Sequence, residues 1–159
     1  GLRDEMGAGA MLAAGAARVI VGTAALQDPT FARRLVERHG ADRIGVALDV
    51  RGGRAVGHGW AGDSPGTPFD EAVSALAAAG ITTFEVTAID RDGTMTGPDL
   101  DLLARAVSLT GGGVIASAGV ATTDDLRAVR AIGCAGAIVG RALYEGRFTV
   151  REALDSIRA

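Results

Sequence analysis

The sequence predicts an α/β fold with a parallel sheet covered by helices. Short apolar segments alternate along the chain with helix-like segments, which is the order expected of consecutive strand–helix units. The apolar segments are mostly continuous runs, which indicates strands buried on both faces, as in a parallel sheet. Of the 159 residues 48% are hydrophobic and only 4% are aromatic, so we expect Ala, Val, Leu and Ile to fill the core.

An internal repeat indicates how these units are organised. Residues 1–26 and 119–144 are two copies of one pattern, at an offset of 118 residues without a gap. Both copies predict a helix, a glycine turn, a short strand and a glycine-containing loop. A unit of this length holds about four strand–helix pairs, so the repeat predicts a barrel of two similar halves. The shared residues are Gly1, Gly15, Ile20, Val21, Gly22 and Ala24, which recur as Gly119, Gly133, Ile138, Val139, Gly140 and Ala142.

Local signals place the individual elements. Asp28 and Pro29 predict a helix start, Gly80 predicts a helix end and Thr122 predicts a further N-cap. The predicted strands are Arg18–Gly22, Arg43–Val50, Thr82–Ile89, Gly113–Ser117 and Ala135–Val139. The predicted helices are Pro29–Arg38, Phe69–Ala79, Asp99–Ser108, Thr123–Ala131 and 149–158, and the long loops are Arg51–Pro68 and Asp90–Pro98.

Five strand–helix units do not close a TIM (β/α)8 barrel, which needs about 200 residues or more. We therefore predict part of such a barrel, as one partial domain over residues 1–159. Residues 1–40 would end the first half-barrel, and residues 41–159 would form the second. A flavodoxin-like open sheet is the structural alternative and needs no missing part.

Composition and charge exclude several classes of function. The net charge is −3 and no Lys/Arg run exceeds two residues, which argues against nucleic-acid binding. No apolar stretch is long enough to span a bilayer, so we expect a soluble cytoplasmic protein without membrane contact. The single cysteine, Cys134, cannot form an intrachain disulfide, and its Ala/Gly/Ile surroundings predict a buried, inert thiol. No Cys/His spacing suits zinc, and the Asp90–Thr94 loop lacks the ligands of a calcium loop, so we predict no metal.

Active groups of parallel α/β proteins lie at the C-terminal ends of the strands. Asp49 follows the apolar run Ile44–Leu48 at such an end. A partly desolvated carboxyl group there suits a general acid. An N-cap role, or an ion pair with Arg51 or Arg54, is the structural alternative.

Two glycine-containing turns suggest anion binding. Ser117-Ala118-Gly119 and Gly140-Arg141 end neighbouring predicted strands. Small residues let main-chain N–H groups approach a phosphate, and loops after the last two barrel strands commonly bind one. Gly1 and Gly22 repeat these glycines at the offset, which predicts two phosphate sites related by pseudo-twofold symmetry. Simple turn chemistry remains the alternative.

Three further residues, one tryptophan and two histidines, lie outside these motifs. Trp60, the only tryptophan, lies in a glycine-rich loop, where it could fold over a ligand or pack on a helix. His58 and His39 are isolated in the sequence. His39 ends a predicted helix, so we expect it to be solvated or to interact with the helix dipole.

Five segments together resemble the ProFAR isomerase family of histidine biosynthesis, the phosphoribosylformimino-5-aminoimidazole carboxamide ribotide isomerases. The segments are RVIVGTAAL (18–26), GVALDVRGGRAVGHGW (45–60), VTAIDRDGT (86–94), GVIASAGV (113–120) and GAIVGRALYEGRFT (136–149). The resemblance covers nearly the whole chain in order. It implies a TIM barrel of two fused half-barrels, a phosphorylated ribotide as substrate, and an Amadori rearrangement without metal or cofactor.

The resemblance also implies a role for each matching residue. Asp49 matches the general acid, Thr87 a substrate-binding threonine and Asp92 a carboxylate of the active-site loop. Trp60 matches a residue that closes over the substrate. His58 matches a substrate-binding position, where relatives commonly have Arg or Lys. The residues that match the two phosphate sites are Gly22 and Thr23 for one, and Ala118, Gly119, Gly140 and Arg141 for the other.

Some family features have no counterpart in this sequence. The resemblance begins after the family's third strand, which implies that this chain holds strands 4–8 of the barrel and lacks the first-strand Asp that serves as general base. Ala118 replaces a usual Gly, and Ala88 replaces a common acidic residue. A full-length form is expected to be a monomer, whereas a fragment could self-associate through an exposed sheet edge.

Three further functions remain open at this point. Similar actinobacterial proteins also isomerise phosphoribosylanthranilate for tryptophan synthesis. The cyclase subunit of imidazole glycerol phosphate synthase has a similar IDRDGT loop and would need a glutaminase partner. A half-barrel that binds a phosphorylated ligand or assembles without catalysis is the alternative outside enzymes.

Overall fold

A computed structural model describes residues 1–57, 59 and 65–158. Its internal contacts divide the chain into two compact units, Gly1–Glu85 and Val86–Ala159. The predicted residues His58 and Trp60 lie outside the described residues.

The first unit contains α1 (Glu5–Ala13), β1 (Val19–Val21), α2 (Thr23–Gln27), α3 (Pro29–His39), β2 (Ile44–Arg51), β3 (Arg54–Val56), β4 (Thr67–Pro68) and α4 (Phe69–Ala78), and it ends within β5 (Phe84–Ala88). Strands β1 and β2 are parallel, with Val21 opposite Val46. The Val46 N–H donates to the Thr83 carbonyl at 3.0 Å, next to the start of β5. The predicted parallel order of these segments is therefore confirmed inside this unit.

The prediction that strands are buried on both faces is wrong for β2. One face of the strand, formed by Ile44, Val46, Leu48 and Val50, is buried. The other face is buried at Gly45 and more accessible towards the C-terminal end. Ala47 and Asp49 are half-buried, and Arg51 is exposed. Because successive side chains point to opposite faces of a strand, β2 turns one face to the core and leaves an accessible face that bears Asp49.

The predicted loop over Arg51–Pro68 contains a hairpin instead. Strand β3 pairs antiparallel with β2, placing Val56 opposite Asp49, and β4 pairs antiparallel with β3. Gly52 and Gly53 form the two-residue turn with φ of 55° and 73°. Positive φ at both positions is what a type I′ turn requires, and Gly-Gly supplies it without a steric cost.

The second unit continues with a short 3-10 turn (Ile89–Arg91), α5 (Leu100–Thr110), β6 (Val114–Ser117), α6 (Thr123–Ala131), β7 (Gly136–Ile138), α7 (Arg141–Tyr144) and α8 (Val150–Ser156). Strands β6 and β7 are parallel, with Ser117 opposite Ile138. The α/β class and its parallel strand pairs are thus confirmed. The eight-stranded barrel, the assignment to strands 4–8 and the half-barrel boundary after residue 40 stay predictions. One core cluster of the unit consists of Val120, Leu126, Ala142 and Phe148.

The predicted helix caps are confirmed. The Asp28 carboxylate accepts the Thr30 N–H at 2.9 Å at the start of α3. Thr122 and Asp125 form a reciprocal capping box at the start of α6. These signals are local in sequence, which is why they could be identified there. No helix in the described part of the chain is long and apolar enough to cross a membrane.

The two copies of the repeat have the same local structure. Helix α6 lies 118 residues after α1 at both of its ends, and each is preceded by an N-cap, Asp4 or Thr122. After the helix, Gly15 and Gly133 have φ of 106° and 94°. The backbone thus repeats as the sequence does.

His39 is half-buried rather than solvated, and its expected interaction with the helix dipole stays a prediction. Its Nε2 atom is buried without a hydrogen-bond partner. This atom lies against α1, at 3.9 Å from the place that a Cβ on Gly9 would take.

Candidate functional site

A cavity of about 200 Å³ opens in the second unit at the ends of its strands. Two turns, the one after β6 and the one after β7, and the β5–α5 loop (residues 92–99) form its walls. The cavity is lined by Asp92, Gly93, Met95, Ser117, Ala118, Gly119, Val120, Ile138, Gly140 and Arg141. The structure therefore brings together five predicted site residues: Asp92, Ala118, Gly119, Gly140 and Arg141.

Close backbone contact explains the glycine at position 119. Gly119 has φ of 84°, and a Cβ there would lie 2.8 Å from the Gly97 carbonyl carbon and 3.0 Å from Pro98 Cα. The Gly97 N–H also donates to the Gly119 carbonyl at 3.0 Å. The turn after β6 and the β5–α5 loop are thus in direct main-chain contact.

Ala118 has an unusual backbone conformation. Its φ is 82°, a left-handed value that favours glycine. Glycine would therefore suit this position. Alanine, which stands here in place of the family's usual glycine, carries a conformational cost.

The side chain of Arg141 is engaged within the protein. Its Nε donates to Glu145 Oε1 at 2.6 Å, and its Nη1 donates to the Gly93 carbonyl at 2.6 Å. The hydrogen bond from Arg141 is the main reason that the pKa of Glu145 is lowered. The sequence pointed to Arg141 as part of a phosphate-binding turn, and this long-range contact with Gly93 was not predicted.

A second cavity, of about 850 Å³, opens in the first unit. Its lining residues are Gly1, Leu2, Arg3, Ile20, Gly22, Thr23, Ala24, Gln27 and Gly59. Five of these positions, Gly1, Leu2, Ile20, Gly22 and Thr23, correspond through the repeat to lining positions of the other cavity.

The glycine turns of the two cavities are alike in conformation. Gly22 has φ −110° and ψ −108°, and Gly140 has φ −105° and ψ −94°. In each copy two N–H groups of the short helix that follows donate to this glycine's carbonyl. The sequence repeat therefore encodes two similar concave surfaces.

Asp49 lies on the accessible face of β2, before the strand ends. The N-cap alternative is wrong, because Asp49 is inside a strand and pairs with Val56. Arg54, one of its suggested ion-pair partners, instead donates to the carbonyls of Pro65 and Gly66.

Glu85 is a neighbour of Asp49 that was not among the residues predicted from the sequence. It is half-buried on β5, and burial, followed by the negative charge of Asp49, raises its pKa. The available signal was a carboxylate inside the otherwise apolar and threonine-containing run Thr82–Ile89. Thr87, also on β5, is buried and belongs to the second unit.

Two further sequence predictions concern metals and the thiol. Among the described residues, no group of three or more His, Cys, Asp or Glu side chains could hold a metal ion. Cys134 is free and half-buried, and burial raises the pKa of its thiol. A raised pKa disfavours the reactive thiolate, in agreement with an inert side chain.

The chain is thus a parallel α/β protein with two repeat-related, glycine-lined cavities next to strand ends. Such cavities suit anionic groups, because small residues expose main-chain N–H groups. A sequence model of the histidine biosynthesis protein family matches residues 1–149, and the chain belongs to this family. The resemblance found in the sequence is therefore confirmed.

Named relatives are similar over almost the whole chain. Proteins of Frankia casuarinae and Thermobifida fusca are 50% and 45% identical over 97% and 99% of it. Each is named an isomerase of an imidazole-4-carboxamide with a 5-phosphoribosyl group and a (5-phosphoribosylamino)methylideneamino group. A Mycobacteroides abscessus protein named phosphoribosyl isomerase A is 44% identical over 99% of the chain. The chain spans 60%, 64% and 66% of the length of these three relatives.

Proposed function

We propose that this protein contributes to an aldose–ketose isomerase of histidine biosynthesis. Its substrate would be the bis-phosphoribosyl imidazole carboxamide ProFAR, as for the Frankia and Thermobifida relatives. One structural observation supports this choice above others: the chain has two repeat-related cavities, and a molecule with two phosphoribosyl groups has two phosphates to place. Each phosphate would accept hydrogen bonds from main-chain N–H groups of one glycine turn.

The proposed reaction is an Amadori rearrangement. Asp49 would donate a proton to the ribose ring oxygen, so that the ring opens to a Schiff base. A general base then removes the proton from C2, and the resulting enolamine becomes the aminoketose. The accessible face of β2 and the half-buried position of Asp49 support its role as the acid. The family resemblance offers Asp49 as the acid and offers no residue of this chain as the base.

The remaining site residues would bind rather than react. Thr87 would contact the substrate from β5, and Asp92 would face it from the β5–α5 loop. Thr23 and Gly22 would hold one phosphate, and the turns at Ala118-Gly119 and Gly140-Arg141 the other. His58 and Trp60 keep the roles that the resemblance implies, as a substrate contact and as a residue that closes over the substrate.

Replacing the acid tests the reaction. Asp49→Asn keeps the size of the side chain and removes the proton donor, so turnover of ProFAR should fall by about 10²–10⁴-fold. Product formation is followed by chromatography, and circular dichroism checks that the fold is retained. Asp101→Asn, on the exposed side of α5, is the matched control and should retain activity. Undiminished turnover by Asp49→Asn would contradict the role of Asp49.

The same assay separates the alternatives. Binding of ProFAR without turnover by the unmodified protein would favour the non-catalytic phosphate-binding module. Turnover of phosphoribosylanthranilate would establish the second, tryptophan-pathway substrate. The relatives described above have isomerase names, which favours the isomerase over the cyclase.

A further inference from the structure

The β5–α5 loop is fixed to the wall of the second unit's cavity at two points. At one end, the Gly97 N–H donates to the Gly119 carbonyl at 3.0 Å. At the other end, Arg141 Nη1 donates to the Gly93 carbonyl at 2.6 Å. Gly119 and Arg141 both line the cavity, and Gly93 directly follows Asp92. A side chain from the start of α7 is therefore bonded to the residue that follows Asp92.

Glu145 determines which way the Arg141 side chain points. Its Oε1 accepts from Nε of Arg141 at 2.6 Å, one helical turn further along the chain. Since the guanidinium group is planar and its donors have fixed directions, a bond at Nε also restrains the direction of Nη1. Arg147 Nη2 lies 3.6 Å from the other carboxylate oxygen, so Glu145 lies between two arginines.

We infer that the Arg141 side chain is a positioning residue for the loop that bears Asp92, rather than a direct ligand of the phosphate. The Nε donor and one Nη1 donor of its guanidinium are used by Glu145 and Gly93. The phosphate would instead bind main-chain N–H groups of the two turns. This inference rests on the proposed phosphate site, although the contact between Arg141 and the loop can be tested without it.

Hydrogen exchange of the loop amides tests the positioning role. The N–H groups of Asp92 and Thr94 donate to carbonyls of the preceding 3-10 turn, at 3.1 and 3.2 Å, and the Gly97 N–H donates to the Gly119 carbonyl. Arg141→Met keeps the aliphatic stem and removes the donors, and it should speed exchange at these three amides about fivefold, as expected for one lost hydrogen bond. Arg141→Lys should restore part of the protection, because an ammonium group can reach only one acceptor well.

Two further variants control this experiment. Arg147→Met removes a guanidinium from the same carboxylate and should leave loop exchange unchanged. Glu145→Gln leaves Arg141 intact but weakens its orientation, so it should speed loop exchange by a smaller factor; it also serves if Arg141→Met fails to fold. Unchanged loop exchange in Arg141→Met, or equally faster exchange of α6 amides, would overturn the inference.

Titration with inorganic phosphate, followed by NMR, tests the second half of the inference. Arg141→Met should bind phosphate with a Kd within about threefold of the unmodified protein, because the main-chain donors remain. A Kd raised about tenfold or more would show that the guanidinium binds phosphate through a charge-assisted bond, and would overturn the inference. If the unmodified protein gives no phosphate-induced shifts, the proposed phosphate site fails, and the exchange result still decides whether Arg141 positions the loop.

Discussion

The two copies of the repeat share a backbone but differ in what that backbone contacts. Gly22 and Gly140 have nearly the same φ and ψ, and each lines a cavity. In the second copy, Gly119 lies against Gly97. In the first copy, Gly22 lies beside β2, since a Cβ added to it would be 3.8 Å from the Ala47 carbonyl oxygen. The repeat thus specifies the shape of the turn at each glycine, and the neighbouring segments give each cavity its own walls.

The residue after the turn glycine shows the same division. Thr23 contacts the chain just after β3, because a Cβ on Gly57 would lie 2.9 Å from Thr23 Cγ2. The corresponding Arg141 reaches the β5–α5 loop instead. In each copy the residue at this position contacts a neighbouring loop of its own unit. Equivalent positions therefore make loop contacts through different side chains.

The strongest test of this comparison substitutes Gly119, which makes the contact with Gly97 in the second copy. Gly119→Ala should lower the free energy of unfolding by about 3 kcal/mol, because the new Cβ meets main-chain atoms and φ is positive. Gly111→Ala is the control: φ there is also positive, at 72°, but a Cβ would meet nothing within 4 Å, so it should cost only about 1–2 kcal/mol. Urea unfolding measures both values. Equal effects would mean that the contact with Gly97 adds nothing to the cost.

Local chemistry explains which parts of this structure could be predicted. The caps Asp28 and Thr122 act within three residues, so their sequence signals were sufficient. The hairpin β2–β3 was missed even though Gly52-Gly53 is a turn signal, because the glycine-rich composition favoured a loop. Helices α2 and α7 were missed because they have five and four residues, too few for a periodic pattern.

The places of the glycine turns were predictable, because they follow apolar runs that the sequence shows directly. Asp49 follows such a run too, but β2 continues past it to Arg51. Glu85 beside Asp49, and Arg141 bound to Gly93, require pairing between segments 36 and 48 residues apart in sequence. No local pattern reports such contacts.

A second test compares the N-caps of the two equivalent helices. Thr122 accepts from the Asp125 N–H at 3.2 Å, and Asp125 accepts in return from the Thr122 N–H at 2.9 Å. Asp4 accepts from the Gly7 N–H at 2.7 Å, and Gly7 has no side chain to reciprocate. Thr122→Ala and Asp4→Ala should each cost about 1 kcal/mol of unfolding free energy. Thermal unfolding measures the cost, and a double variant whose cost is well below the sum would indicate that the two helices are not independent.

The smallest expected effect is at another pair of equivalent positions, Gly9 in α1 and Arg127 in α6, where the two helices differ in sequence. Gly9 lies within the helix, and a Cβ there would make ordinary contact, 3.9 Å from atoms of the His39 ring. Gly9→Ala should therefore stabilise the protein by about 0.5–1 kcal/mol, because alanine has the better helix propensity and adds a packing contact. Gly7→Ala is the matched control: its Cβ would lie 3.2 Å from the capping oxygen of Asp4, so the gain in propensity should be offset. If both substitutions stabilise the protein equally in urea unfolding, the contact between α1 and His39 contributes nothing.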